Sequence, residues 1–245
     1  MNSFPEDLAQ AIEQAKVATQ NAIADGYRRI QVEFVLPEIA LQAQSLALEF
    51  AQLFEKEYGS GIKVMFPDTG AAMLAKRDWG DLPFQVKDLG SRFTPVETQM
   101  SDTDEIFIVA CPSAVEVEKV EKLCDAAGDR PVILLIPQLE DVAVVGIGLA
   151  ARQLRDRFIS TLYSAYYIRP LEGAYILRNH PSAWQIWLEK EGTHELATEL
   201  ASKPVGDDLE RLMLKLTGAE EGTTTTRKKS GIFGNLQKFL KALSQ

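Results

Sequence analysis

Cysteine and histidine are scarce: two of each in 245 residues. Cys111 and Cys124 form neither a C-x-x-C redox pair nor a zinc ligand set, and two cysteines cannot supply the disulfide framework of a small secreted domain. A reducing cytosol is the expected compartment. His180 lies in an Asn-His-Pro turn, and His194-Glu195 lacks the second histidine of H-E-x-x-H, so no metal site is expected. Long apolar runs are missing as well. The two longest, Val132–Pro137 and Val142–Ala151, fall far short of the roughly 20 residues that span a bilayer. The first residues are acidic and carry neither a basic nor an apolar signal-peptide region, so no export is expected. No Walker sequence and no Ser/His/Asp spacing occurs, so no catalytic residue and no cofactor is assigned.

What is present describes a globular chain. Hydrophobic residues make up 46% and charged residues 25%, enough for a sizeable core. The net charge of −9 argues against nucleic acid as a partner of the whole domain. Apolar spacing predicts a helix over Pro5–Ala24, stopped by Asp25-Gly26, then a strand over Ile30–Leu36 and a helix over Leu41–Tyr58. A strand over Ile62–Phe66, a short helix through Ala75 and a weak strand at Phe84–Val86 follow. Glu105–Ala110 and Val132–Ile136 are nearly continuous apolar strands of the kind a parallel sheet buries on both faces, with a helix over Ala114–Ala127 between them. Helix Leu149–Arg157 precedes Phe158–Ile168 and Gly173–Leu177, which read as an antiparallel hairpin; strands over Ala183–Leu188 and Thr193–Ala201 and a helix over Asp207–Leu216 complete the pattern. The expected fold is a three-layer, Rossmann-like α/β domain over residues 1–218, parallel in its first part with antiparallel strands added in the C-terminal part.

The candidate ligand residues follow strands, where open α/β folds place their binding sites. Asp68, Thr69 and Gly70, together with Ser113, would line the carboxyl edge of the sheet, although Asp68 and Ser113 serve equally well as helix N-caps. Gly146-Ile-Gly148-Leu-Ala-Ala151 matches G-x-G-x-x-A, but Arg169-Pro170 stands where the fingerprint needs an acidic residue about 20 positions on. The plainer reading is that these glycines permit a loop and close helix packing. Arg152, Arg155 and Arg157 could grip a phosphate or form surface ion pairs. The aromatic residues Tyr163, Tyr166, Tyr167, Trp184 and Trp187 read mostly as core.

The last residues differ in kind. Residues 219–231 are polar and low in complexity and read as a flexible linker. Beyond them Ile232, Phe233, Leu236, Phe239, Leu240 and Leu243 fall on one helical stripe, so 232–245 reads as a basic amphipathic tail helix. Arg227, Lys228, Lys229, Lys238 and Lys241 stand there with no acidic residue from Thr223 onward; without those five cations the net −9 becomes −14 for the rest. Such a segment can lie on an anionic membrane surface while the acidic body stays off it, or seat its stripe on protein.

The stretch Val64–Ala72 with Arg77-Asp78-Trp79, then Phe107–Pro112 and Gly146–Phe158, resembles an uncharacterised-domain family of cyanobacteria and chloroplasts. That family includes the plant low-photosystem-II-accumulation protein. Tyr166–Pro170, Trp184-Gln-Ile-Trp187 and Lys203-Pro204 continue the likeness, over roughly residues 5 to 216. The resemblance implies a non-enzymatic auxiliary protein for photosystem II assembly or maintenance, with an assembly intermediate or other protein as partner and a location on the cytoplasmic face of the thylakoid membrane. The family domain also occurs appended to a plastid adenylate kinase, so the alternative is a nucleotide- or small-molecule-binding protein, enzymatic or not, using the carboxyl edge of the sheet. This chain has no kinase P-loop of its own.

Overall fold

The structure is a computed structural model and describes residues 3–91, 93–140 and 148–217. Nine strands form one sheet in the order β3-β2-β4-β5-β1-β6-β7-β8-β9. β1 (Arg29–Phe34), β2 (Ile62–Phe66), β3 (Gln85–Asp88), β4 (Ile106–Ala110) and β5 (Val132–Leu135) are mutually parallel. β6 (Tyr163–Leu171) pairs parallel to β1, and β7 (Ala174–Asn179), β8 (Trp184–Lys190) and β9 (Thr193–Leu200) follow as an antiparallel meander. The expected mixed sheet is therefore the observed one.

The fully buried strands β2, β4 and β5 carry apolar residues on both faces because helices cover both. α1 (Leu8–Ala24), α2 (Ala43–Tyr58) and α3 (Thr69–Trp79) pack on one face, against Val32, Val64, Ile108 and Ile133. α4 (Val117–Ala127) and α5 (Leu149–Arg157) pack on the other, against Met65, Phe107, Val109 and Leu134. These strand residues alternate in sequence, as the period of two requires. α6 (Gly206–Thr217) uses Leu209, Leu212, Met213 and Leu216 to cover Tyr167, Ile176, Trp184 and Ile186, as its spacing predicts.

Several boundaries move. The first helix begins at Leu8, where the Asp7 carboxylate accepts from the Gln10 N–H at 2.8 Å. β6 begins only at Tyr163, because Ile159–Thr161 forms a 3-10 turn, and Arg169-Pro170 lies inside the strand, leaving Glu172-Gly173 as the tip of the hairpin. Ser113 is not the cap of α4: that helix starts at Val117, with Glu116 at its N-cap.

One polar pair interrupts the apolar sheet. Lys63 on β2 is 1% exposed, and its Nζ sits 2.7 Å from Asp104 Oδ2 and donates to the Gln99 carbonyl at 2.7 Å. Asp104, also 1% exposed, takes the Ser101 N–H at 2.7 Å on the same oxygen, while Oδ1 has no partner. Removing one member of such a pair strands the other charge in the core. Lys63→Met is expected to cost roughly 3–5 kcal/mol in urea unfolding, whereas Lys63→Met with Asp104→Leu should recover most of that loss.

Candidate functional site

The strand order fixes where a cleft must open. The chain leaves β1 toward α2 on one face, and leaves β5 toward α5 on the other, yet β1 and β5 are neighbours. Their connections part at the carboxyl edge, the place where doubly wound sheets bind ligands. A cleft of about 840 Å³ lies there, walled by Val35, Leu36, Ser113, Val115 and Ile136; Glu33 and Glu140 also line it, Glu33 accepting from Ser164 and Lys203 and Glu140 from Arg155. β2 and β4 form a second such divide, since β2 leads to α3 and β4 to α4 on opposite faces.

The backbone around the cleft is strained. Ile136 (φ 52°), Cys111 (φ 48°) and Glu38 (φ 60°) occupy the left-handed region. For β-branched Ile136 that conformation is a true outlier, of a kind that costs on the order of 1–3 kcal/mol. The surroundings hold it: the Ile136 N–H donates to Val32 O at 2.8 Å and its side chain is buried in the larger core. The Cys111 N–H donates to Leu135 O at 2.7 Å. Each residue completes the sheet ladder with its amide and then turns the chain out of the sheet. The loops after β4 and β5 are also joined, through an isolated bridge between Ser113 and Gln138.

The residues singled out in the sequence divide between the two openings. Ser113 stands in the wall of the cleft, and its N–H and hydroxyl both donate to Glu116 Oε2, at 3.0 and 2.6 Å. Its oxygen accepts from the Val115 N–H at 3.2 Å, so the serine organises the turn before α4. Asp68, Thr69 and Gly70 lie at the second divide. Asp68 caps α3 by accepting from the Ala71 N–H at 2.9 Å, and Thr69 donates to Asp88 Oδ2 at 2.6 Å. The α3 N-terminus is thus already faced by the Asp68 carboxylate, which makes that part of the edge inhospitable to a phosphate, whereas Glu116 bonds back to Ser113 and caps no amide of α4. Gly148 is the N-cap residue of α5, and an added Cβ there would meet nothing within 4 Å, so close packing is not what the glycine serves. Gly146 lies outside the described residues.

The arginines of α5 are largely committed. Arg155 pairs with Glu140 on the cleft lining. Arg157 makes two bonds to Glu121, at 2.6 and 2.9 Å, and this guanidinium holds the Glu121 carboxyl below its ordinary range. Arg152 is exposed on the same helix. The tail residues Arg227, Lys228, Lys229, Ile232, Phe233, Leu236, Lys238, Phe239, Leu240, Lys241 and Leu243 all lie outside the described residues.

At the opposite edge of the sheet is a constellation that sequence spacing did not reveal. Arg178 Nη2 donates to the Tyr163 hydroxyl at 2.8 Å, that hydroxyl lies 2.6 Å from His180 Nδ1, and His180 Nε2 lies 2.9 Å from Asp25. Burial raises the Tyr163 phenol above its ordinary value despite Arg178, so the phenol keeps its proton at neutral pH. Tyr27 stacks on Tyr163 with ring centres 3.5 Å apart. The network fastens the end of α1 to β6 and β7. Its members come from distant parts of the chain, and only the pairing of β6 with β1 and β7 brings them together.

No grouping of metal ligands occurs among the described residues, and none of the described helices is long and apolar enough to cross a membrane. The geometry is that of a doubly wound α/β domain with a strained, largely apolar cleft at its strand-order reversal. The chain belongs to a family described as a domain of unknown function, DUF1995, whose model matches residues 5–211. No solved structure matches it.

Neither thiol is poised to act as a nucleophile. Burial pushes Cys124 up to about 12, and burial together with Glu116 raises Cys111. Alkylation by iodoacetamide at pH 7 is therefore expected to be slower than for a free thiol, whose pKa is about 8.5, with Cys111 reacting first as pH rises and both reacting on unfolding. Because the folded value of Cys124 is raised, its contribution to stability is complete below about 8.5. It is lost as pH climbs from there toward about 12.

Proposed function

We propose that this chain is a non-enzymatic auxiliary protein that acts by binding, in photosystem II assembly or maintenance, on the cytoplasmic face of the thylakoid membrane. The observation that carries the binding role is the apolar character of the loops at the carboxyl edge. Phe93 after β3 is 91% exposed, Leu41 after β1 76%, Leu149 at the start of α5 72% and Val115 after β4 70%. Large apolar side chains on several neighbouring connections mark a surface for another protein. The photosystem assignment rests on the resemblance of Val64–Ala72, Phe107–Pro112 and Gly146–Phe158 described above.

The membrane tether rests on segregated charge: five cations and no acid from Thr223 onward, against −14 for the rest. Each cation near an anionic surface contributes about 1 kcal/mol. In flotation assays the full chain is expected to rise with vesicles containing phosphatidylglycerol and to stay down with phosphatidylcholine alone. Added salt should weaken the binding, and deletion of 223–245 should abolish it. Flotation of the deleted chain equal to that of the full one would remove the tether. The assembly role has its own test: a cell lacking the protein should accumulate less photosystem II per chlorophyll, and normal accumulation there would remove that role.

A second reading is favoured by one feature, the cleft, whose volume of about 840 Å³ lies in the range of small-molecule sites. Its walls are chiefly apolar, and Glu33 and Glu140 on the lining are already paired with Lys203 and Arg155, so a largely apolar, neutral molecule suits it better than a nucleotide phosphate. A rise of several degrees in unfolding temperature with such a compound, and none with nucleotides, is the expected outcome under that reading.

A further inference from the structure

We propose that the chain's own segment 232–245 seats its apolar stripe in the cleft between the β1 and β5 connections when no membrane is present, so that cleft and lipid compete for one tail. The inference rests on the amphipathic reading of that segment, and adds to it a second, intramolecular seat.

Three observations support this occupant. The first is chemical match. The cleft offers apolar walls at Val35, Leu36, Val115 and Ile136, with Glu33 and Glu140 beside them. The tail offers Ile232, Phe233, Leu236, Phe239 and Leu240 in one stripe, accompanied by Lys238 and Lys241. Glu33 is already paired with Lys203 and Glu140 with Arg155, so the match is one of apolar stripe to apolar groove, in a cleft poorly suited to the phosphate chemistry of other α/β folds.

The second is charge at long range. The tail carries five cations while the rest of the chain stands at −14, so the body attracts its own tail wherever the linker permits. The third is reach. α6, which ends at Thr217, lies over β6, β7 and β8, and β6 is the immediate neighbour of β1. Strands lie about 4.8 Å apart, so the cleft is a few strand widths, on the order of 20 Å, across the sheet from α6. Residues 218–231 can extend to roughly 45 Å at about 3.3 Å per residue.

Tethering makes even a modest fit sufficient. A linker of this kind confers an effective concentration of about 1 mM, so a cleft with a dissociation constant near 0.1 mM would hold the tail about nine-tenths of the time. An anionic bilayer then competes, each cation strengthening lipid binding about fivefold. The tail would move from cleft to membrane and leave the cleft open at the place where the protein is tethered. The apolar edge would be covered in solution and uncovered at the surface.

The test uses the full chain carrying Cys111→Ser, with Val115→Cys on the cleft wall and Leu236→Cys in the tail. Its control pairs Leu236→Cys with Val17→Cys, an exposed position on α1. A short bis-maleimide is applied at low protein concentration, and intrachain cross-links are quantified by mass spectrometry. The expected result is at least tenfold faster cross-linking of the Val115 pair than of the control, and its suppression by phosphatidylglycerol vesicles. Equal rates for the two pairs, or cross-links only between chains, would overturn the inference. If the full chain floats with vesicles but the Val115 pair does not cross-link, the cleft seat fails and the tether stands; cross-linking without flotation gives the converse.

Discussion

The position of β1 governs the rest of the molecule. It pairs with β5 on one side and β6 on the other, so the parallel half of the sheet and the antiparallel meander meet on a single six-residue strand. Because the chain goes from β1 to the α2 face and returns to β6 only after α4 and α5 have been laid on the other face, both layers of helices depend on it. The same arrangement opens the cleft. Two neighbouring strands whose connections depart to opposite faces cannot close the gap above them.

Around that opening the fold tolerates departures that the rest of the sheet does not. Cys111 and Ile136, the residues that directly follow β4 and β5, both hold left-handed backbone, and each keeps a ladder hydrogen bond while doing so. The cost of these conformations is borne by the cores on either side. Carboxylates dominate the polar chemistry there: Asp68 caps α3, Glu116 takes both donors of Ser113 in the turn before α4, Asp88 receives Thr69, and Glu140 holds Arg155. A surface whose carboxylates are taken up by the protein's own donors, while Phe93 and Val115 stand in water, is suited to apolar contact.

The sequence was most legible where burial is most complete. β2, β4 and β5 announce themselves as apolar runs because both of their faces are covered, and α6 does so because its stripe meets a single apolar surface. Boundaries were harder: Phe158 is buried and apolar like a strand residue, but it belongs to the turn after α5, and nothing in its neighbours marks the difference. The candidate site was half visible. Asp68 and Ser113 could be placed at the carboxyl edge because each follows a strand, whereas the cleft depends on which strands are neighbours, and that is not written in local pattern. The Tyr163, His180 and Asp25 network was invisible for the same reason, and Lys63 gives no sign in β2 that Asp104 awaits it.

The two ends of the sheet bear on how copies of this protein meet one another. β3 has only four residues and ends in Lys87-Asp88, so it offers little backbone for another strand to join. β9 is longer, with eight residues, and carries Glu195 and Glu199. Its pairing with β8 shifts register between Ile186 and Trp187, and that bulge sets Glu195 and Glu199 on opposite faces, so this edge offers another strand no regular row to match. Neither end of the sheet therefore invites it to grow from one molecule into the next.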